Sequence, residues 1–320
     1  MKADGKPVRL VFCGTPRFAV PTLEALLQAG HEVPLVVTQP DRPVGRTQEM
    51  AAPPVKQTAL VAGLAVTQPD KIRNNQELRA RLEAIAPEAM VVVAYGRILP
   101  PWMLALPRLG CINLHASLLP KFRGAAPIQW AVAMGETVTG NTTMLLEEGL
   151  DTGPILLQQE LAIAPEQTAA DLFGALAEAG APLMVETLKG LADGSIGPRT
   201  QDHSQATLAP MLSREDGQMD FAARTATELM NRWRGFQPWP GAYTALGGRK
   251  LIVHAMETLP GEGVAPAEPG TVRVENHRLL VRCAQSTWLE LKELQLEGKK
   301  RLTAAEFLRG MQLAPGARLG

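Results

Sequence analysis

The chain is poor in aromatic residues, poor in cysteine and has no net charge. Two Tyr, seven Phe and five Trp among 320 residues leave no basis for a broad stacking surface. Basic and acidic side chains number 32 each, which excludes indiscriminate capture of nucleic acid through bulk charge. The little asymmetry present leans basic beyond residue 200, by a few charges only. Cys13, Cys111 and Cys283 lie singly in apolar stretches without metal-ligand spacing, so reduced, buried thiols and no bound metal are expected. No apolar run reaches the length of a membrane span, and the opening MKADGKPVRL lacks a signal-peptide core. A cytoplasmic protein with no membrane partner is the expectation.

What is present describes a globular protein long enough for two cores, with 46% apolar and 20% charged residues. Apolar runs at 8–14, 33–38 and 89–94 alternate with segments of helical spacing, the pattern of strands buried on both faces of a parallel sheet. Gly14 follows the first run, but the further glycines of a dinucleotide fingerprint are missing, so Gly14-Thr15-Pro16 reads as a tight strand-to-helix turn. A long amphipathic helix spans Thr168 to Lys189. Residues 190–207 then turn rich in Gly, Pro, Ser and Gln, the composition of a boundary. Beyond it, short strand-like runs at 250–254, 270–274, 279–282 and 288–296 are punctuated by Gly and Pro, as in a small barrel of the OB-like type. The expected architecture is α/β: a Rossmann-like open sheet in residues 1–193, a linker over 194–213, and a smaller OB-like β-barrel domain in 214–320.

The chemistry centres on Asn113-Leu114-His115-Ala116-Ser117-Leu118-Leu119-Pro120-Lys121-Phe122, which leaves the apolar run 110–112. Alternation along a strand turns Asn113 and His115 to one side, at the carboxyl end where open α/β sheets carry their sites. A second loop, Gly149-Leu150-Asp151-Thr152-Gly153-Pro154, holds an Asp between glycines and free of helical constraint. Together these supply a donor to polarise a carbonyl, a proton acceptor and a carboxylate to orient it. A His and an Asp can also ligate a metal, but no further His or Cys stands at ligand spacing. Ser117 lacks the glycine-framed elbow of a nucleophile and reads as a loop hydrogen-bonder. His31, His203, His254 and His277 read as ordinary polar residues. Two basic segments are candidates for phosphate contact: the Pro- and Gly-punctuated loop 39–56, with Arg42, Arg46 and Lys56, and the run Lys299-Lys300-Arg301.

The stretches NLHASLLPKFRGAAPIQ (113–129) and GLDTGPIL (149–156) closely resemble the formyltransferases that use 10-formyltetrahydrofolate. The segments VFCGTPRFA, TQPDRPVGR and VVVAYGRILP, with a C-terminal domain, resemble the branch that acts on methionyl-tRNA. The resemblance spans nearly the whole chain and implies transfer of a formyl group to the α-amino group of initiator methionyl-tRNA by a monomer. It implies Asn113, His115 and Asp151 as catalytic residues, and Tyr95, Gly96, Ile98, Ser117, Leu118, Leu119 and Pro120 as the folate site. It implies Arg42, Arg46, Lys299, Lys300 and Arg301 as tRNA contacts. One departure concerns the loop after Arg46, where Thr47-Gln48-Glu49-Met50 replaces the lysine-rich insert frequent in the family. Nearby chemistries are the same transfer to a sugar-nucleotide amine, or a tRNA-binding protein without turnover. A glycinamide ribonucleotide formyltransferase would carry an N-terminal phosphate-binding glycine loop, which this chain lacks.

Overall fold

A computed structural model describes residues 6–45, 48–259, 267–314 and 316–320. The chain divides into two compact units. The first is Met1–Pro127, Val138–Ala162 and Asp171–Pro210, and the second is Ile128–Thr137, Ile163–Ala170 and Met211–Gly320.

In chain order the elements of the first part are β1 (Arg9–Gly14), α1 (Val20–Gln28), β2 (Glu32–Val37), β3 (Arg42–Val44), β4 (Glu49–Ala51), α2 (Pro54–Val61), β5 (Val66–Thr67) and α3 (Gln76–Ile85). They continue as β6 (Ala89–Val93), α4 (Pro101–Leu104), β7 (Cys111–His115), α5 (Pro127–Ala133), β8 (Val138–Leu145), β9 (Ile155–Ala162) and α6 (Ala169–Asp193). One sheet runs in the order β5-β2-β1-β6-β7-β8-β9. Its members from β5 to β7 are parallel, whereas β7, β8 and β9 pair antiparallel. β6 is buried along its whole length and β1 at all positions but Arg9, as strands covered on both faces must be. One face packs Val11, Cys13, Met90 and Val92 against Leu78 and Leu82 of α3. Asn75 starts α3 by accepting a hydrogen bond from the Leu78 amide at 2.9 Å. The order of the strands reverses between β1 and β6, since β1 feeds β2 on one side and meets β6 on the other. That is where an open sheet leaves a crevice at its carboxyl edge.

The antiparallel extension has a purpose visible in its residues. β8, VTGNTTML, buries Asn141, Thr142 and Thr143, an unusual load of polar groups for a strand interior. Each makes a hydrogen bond: Asn141 donates to the Leu176 carbonyl, Thr143 meets Thr187, and Thr142 donates to the Ser117 carbonyl, while the Asn141 amide oxygen and the Thr139 hydroxyl have no partner among the described residues. Buried polar groups satisfied in this way fix one arrangement, because breaking any of them leaves an unpaired group out of water.

In the second unit lie α7 (Ala226–Gly235), β10 (Ala242–Leu246), β11 (Arg249–Leu259), β12 (Val272–Glu275), β13 (Arg278–Arg282), β14 (Trp288–Leu296), β15 (Leu302–Thr303) and α8 (Ala304–Gly310). The strands form a separate antiparallel sheet in the order β10-β11-β14-β13-β12, with β15 paired to β14. Both helices open on a capping box, Thr225 with Glu228 and Thr303 with Glu306. α7 and α8 close over a core that includes Leu229, Leu251, Val281, Leu289, Leu291 and Phe307.

Candidate active site

β7 ends at His115, in register with Thr142 of β8. Strand alternation sends Leu114 toward α6, where a Cβ at Gly180 would stand 2.6 Å from Leu114 Cδ2. Asn113 and His115 therefore face the other way. The chain then folds back on itself. The Phe122 carbonyl lies 2.9 Å from His115 Nε2, and a carbonyl can only accept, so Nε2 carries the proton and Nδ1 presents a lone pair. Asp151 Oδ2 stands 3.8 Å from that Nδ1, beyond a direct hydrogen bond and within reach of one proton or one water. The His115 and Asp151 side chains are only 6% and 14% exposed.

Asp151 is held by its neighbours and not by its own backbone preference, for its φ is +50°. Its Oδ2 accepts the Gly124 amide at 2.8 Å, which ties the two loops together. Gly153 is required by crowding, because a Cβ there would overlap the Leu145 carbonyl. Asn113 is half-buried, and its carboxamide is bonded to none of the described residues. The structure thus brings the His115 imidazole and the Asp151 carboxylate together at the carboxyl edge, with Asn113 two residues earlier on the same face of β7.

The loop that follows His115 is stapled to the antiparallel strands. Thr142 Oγ1 bonds the Ser117 carbonyl at 2.6 Å and accepts the Leu119 amide at 3.1 Å, while Gln158 donates to the Leu119 carbonyl at 2.9 Å. Ser117 is fully buried and its hydroxyl donates to the Lys121 carbonyl. Leu119 is buried with Met144 and Ile155; Leu118 and Pro120 are half-buried.

Beside this, at the ends of β1, β2 and β6, opens a cleft of about 550 Å³. Tyr95 and Gly96 line it together with Thr15, Gln39 and Arg42. Neighbouring strands lie about 4.8 Å apart, so the ends of β6 and β7 put cleft and triad on one edge. Tyr95 contributes its main chain: its ring is buried in the core, which pushes the phenol pKa up, and its carbonyl accepts from Thr15 Oγ1 and Gln39 Nε2. Ile98 is 89% exposed. Gln39, which the sequence alone does not single out, is the hub here, accepting from Arg42 and Arg97 and donating to the carbonyls of residues 95 and 96. Arg42 is exposed on β3. Lys56, a loop cation by its sequence surroundings, instead lies in the first turn of α2 and pairs with Asp41 at 2.7 Å. Gln68 first and Lys56 second hold that carboxyl below the usual carboxylate range. Arg46 lies outside the described residues.

In the second unit Lys299 and Lys300 are exposed on the turn between β14 and β15, and Arg301 pairs with Glu293. Among the described residues no group of three His, Cys, Asp or Glu is gathered for a metal, and no helix is long and apolar enough to cross a membrane.

Comparison with known proteins gives the geometry a family. Residues 8–188 match the formyl transferase family, and residues 211–312 match its C-terminal domain. A methionyl-tRNA formyltransferase of Acidobacterium capsulatum is 68% identical over 98% of this chain and 100% of its own length. One from Koribacter versatilis is 57% identical over 97% of this chain and 98% of its own. Among solved structures, HypX from Aquifex aeolicus in complex with tetrahydrofolic acid superposes with a TM-score of 0.58 at 16% identity, a likeness of fold. That match covers 97% of this chain and 49% of HypX. The chain belongs to the formyl transferase family, and within it to the methionyl-tRNA formyltransferases.

Proposed function

We infer that this enzyme transfers a formyl group from 10-formyltetrahydrofolate to the α-amino group of initiator methionyl-tRNA, giving N-formylmethionyl-tRNA for translation initiation. The observation that carries the reading is the approach of His115, at the end of β7, to Asp151 on the loop before β9, with Asn113 on the same face of β7. A terminal α-amino group has a pKa of about 7.7–8.0, so it needs little help to become a nucleophile. Asn113 donates to the formyl oxygen as negative charge gathers there. As the amine nitrogen bonds to the formyl carbon, His115 accepts its proton at Nδ1 and Asp151 stabilises the imidazolium so formed; the proton then passes to the folate nitrogen as its bond to the formyl carbon breaks and tetrahydrofolate leaves.

The donor fits the residues present. A flat heterocycle with amide-like edges needs apolar walls and main-chain polar groups, and the cleft offers Ala94, Pro53 and Pro54 beside the main chain of Tyr95 and Gly96. We assign Tyr95, Gly96, Ile98 and the loop Ser117, Leu118, Leu119 and Pro120 to donor binding. Arg42 and Arg46 are assigned to the acceptor end of the tRNA. The antiparallel sheet we read as an OB-like barrel whose Lys299, Lys300 and Arg301 meet phosphates, which positions the tRNA without reading a base. Catalysis and contact with the acceptor end fall to residues 1–193 and the remaining tRNA contact to 214–320, in a cytoplasmic monomer.

The test is formyl transfer measured with purified protein, the folate donor and a panel of amine acceptors. Charged initiator tRNA should be formylated well above a sugar-nucleotide amine. Retention of tRNA without formylated product, or preference for the sugar nucleotide, overturns the reading.

A further inference from the structure

We propose that Gln201 is a positioning residue for Asp151, which makes the segment after α6 a working part of the active site and not a spacer. Gln201 is 4% exposed. Its Nε2 donates to the main-chain carbonyls of Asp151 at 2.9 Å and Gly153 at 2.7 Å. Its Oε1 accepts twice from Arg123, at 2.6 Å from Nη2 and 3.2 Å from Nε. Two donors and two acceptor sites are thus all engaged, which a primary amide alone among side chains of this length provides. Arg123 is buried as well, and its Nη2 donates to His203 Nδ1 at 2.9 Å.

These bonds close a ring. Arg123 precedes Gly124, whose amide holds the Asp151 carboxylate; the Asp151 main chain hangs on Gln201; and Gln201 returns to Arg123. Asp151 has a left-handed φ, uncommon even for Asp, and the two bonds from Gln201 fix its main chain in that conformation. The same segment reaches the base itself. Thr207 accepts the Phe122 amide on Oγ1 at 2.8 Å and the Arg123 amide on its carbonyl at 2.9 Å, and the Ala209 amide returns to the Arg123 carbonyl at 2.7 Å. Phe122 supplies the carbonyl that fixes the tautomer of His115. Gly124 seals the contact, since a Cβ there would stand 2.6 Å from the Ala209 carbonyl oxygen. One strand of chain therefore sets the aim of both the imidazole and its carboxylate.

The role in catalysis rests on the formyl-transfer reading above; the geometric role does not. Gln201→Glu keeps acceptors for Arg123 but turns an oxygen toward two carbonyls where donors were, and Gln201→Ala removes both links. In each variant kcat for formyl transfer should fall on the order of 10²-fold, the scale of a 1 Å misplacement, while KM for donor and for tRNA stays near wild type. Wild-type kcat in Gln201→Glu, or a change confined to KM, overturns the proposal. A crystal structure of Gln201→Glu tests the tether independently of any substrate. Asp151 moved away from His115 and off the Gly124 amide is expected; Asp151 unmoved, with both contacts intact, overturns it. Should the wild-type protein formylate no methionyl-tRNA, the functional reading fails, while the position of Asp151 in the variant crystal still supports or overturns the tether.

Discussion

Asp151→Asn removes one charge while leaving the shape of the site. An Asn oxygen can still accept the Gly124 amide that Oδ2 accepts at 2.8 Å, so the two loops stay joined. What changes is the field at His115 Nδ1, 3.8 Å away. With an effective dielectric constant of about 20, unit charges at that separation attract by about 4 kcal/mol, and a half-developed charge by about 2 kcal/mol. At about 1.4 kcal/mol per decade of rate, turnover should fall between about 30-fold and about 10³-fold. The effect acts on the transition state, so kcat for formylation should carry the loss with both KM values little changed. A variant that turns over within about threefold of wild type would refute the electrostatic role given to Asp151.

Arg42→Ala should raise KM for methionyl-tRNA, leave donor binding intact and lower the salt slope of tRNA binding by about one; an unchanged slope removes Arg42 from the tRNA contact. Burial pushes the Cys111 and Cys283 thiols from 9.0 up to about 12, and Cys13 well above its usual value. The folded chain therefore keeps protons that the unfolded chain loses. The resulting stability is whole below about pH 9 and declines as pH rises toward about 12, by at most about 1.4 kcal/mol per pH unit for each thiol. Urea midpoints at about pH 8 and about pH 10.5 should differ in that sense, and rapid reaction of all three thiols in the native protein would contradict the burial.

The parallel core of the sheet is legible because β1, β2 and β6 are largely apolar runs, and helices α3 and α6 because their spacing is periodic. Other elements leave weaker signals. β10, AYTAL, mixes polar and apolar residues, and the β3–β4 hairpin hides in a loop full of Pro and charge. β8 leaves little trace in the sequence, since Val138-Thr139-Gly140-Asn141 carries neither alternation nor an apolar run. α7 begins at Ala226, where the Thr225–Glu228 capping box sets it. The Asn, His and Asp of the site stand out because each is confined by local rules: strand alternation for two, a glycine-framed loop for the third. Gln39 and Gln201 do not, because a glutamine hub joins segments tens of residues apart and leaves no mark on the sequence around it. Gln201 sits in a stretch whose composition reads as a linker, yet it is buried against Arg123 and the main chain of Asp151 and Gly153.

The central claim is that one amide donor meets the charge that gathers on a formyl oxygen beside a paired imidazole. Single-turnover formylation of initiator methionyl-tRNA by Asn113→Ala measures it most directly. The account predicts a rate reduced by about 10²- to 10³-fold with donor binding unchanged. A rate within a few-fold of wild type would contradict it.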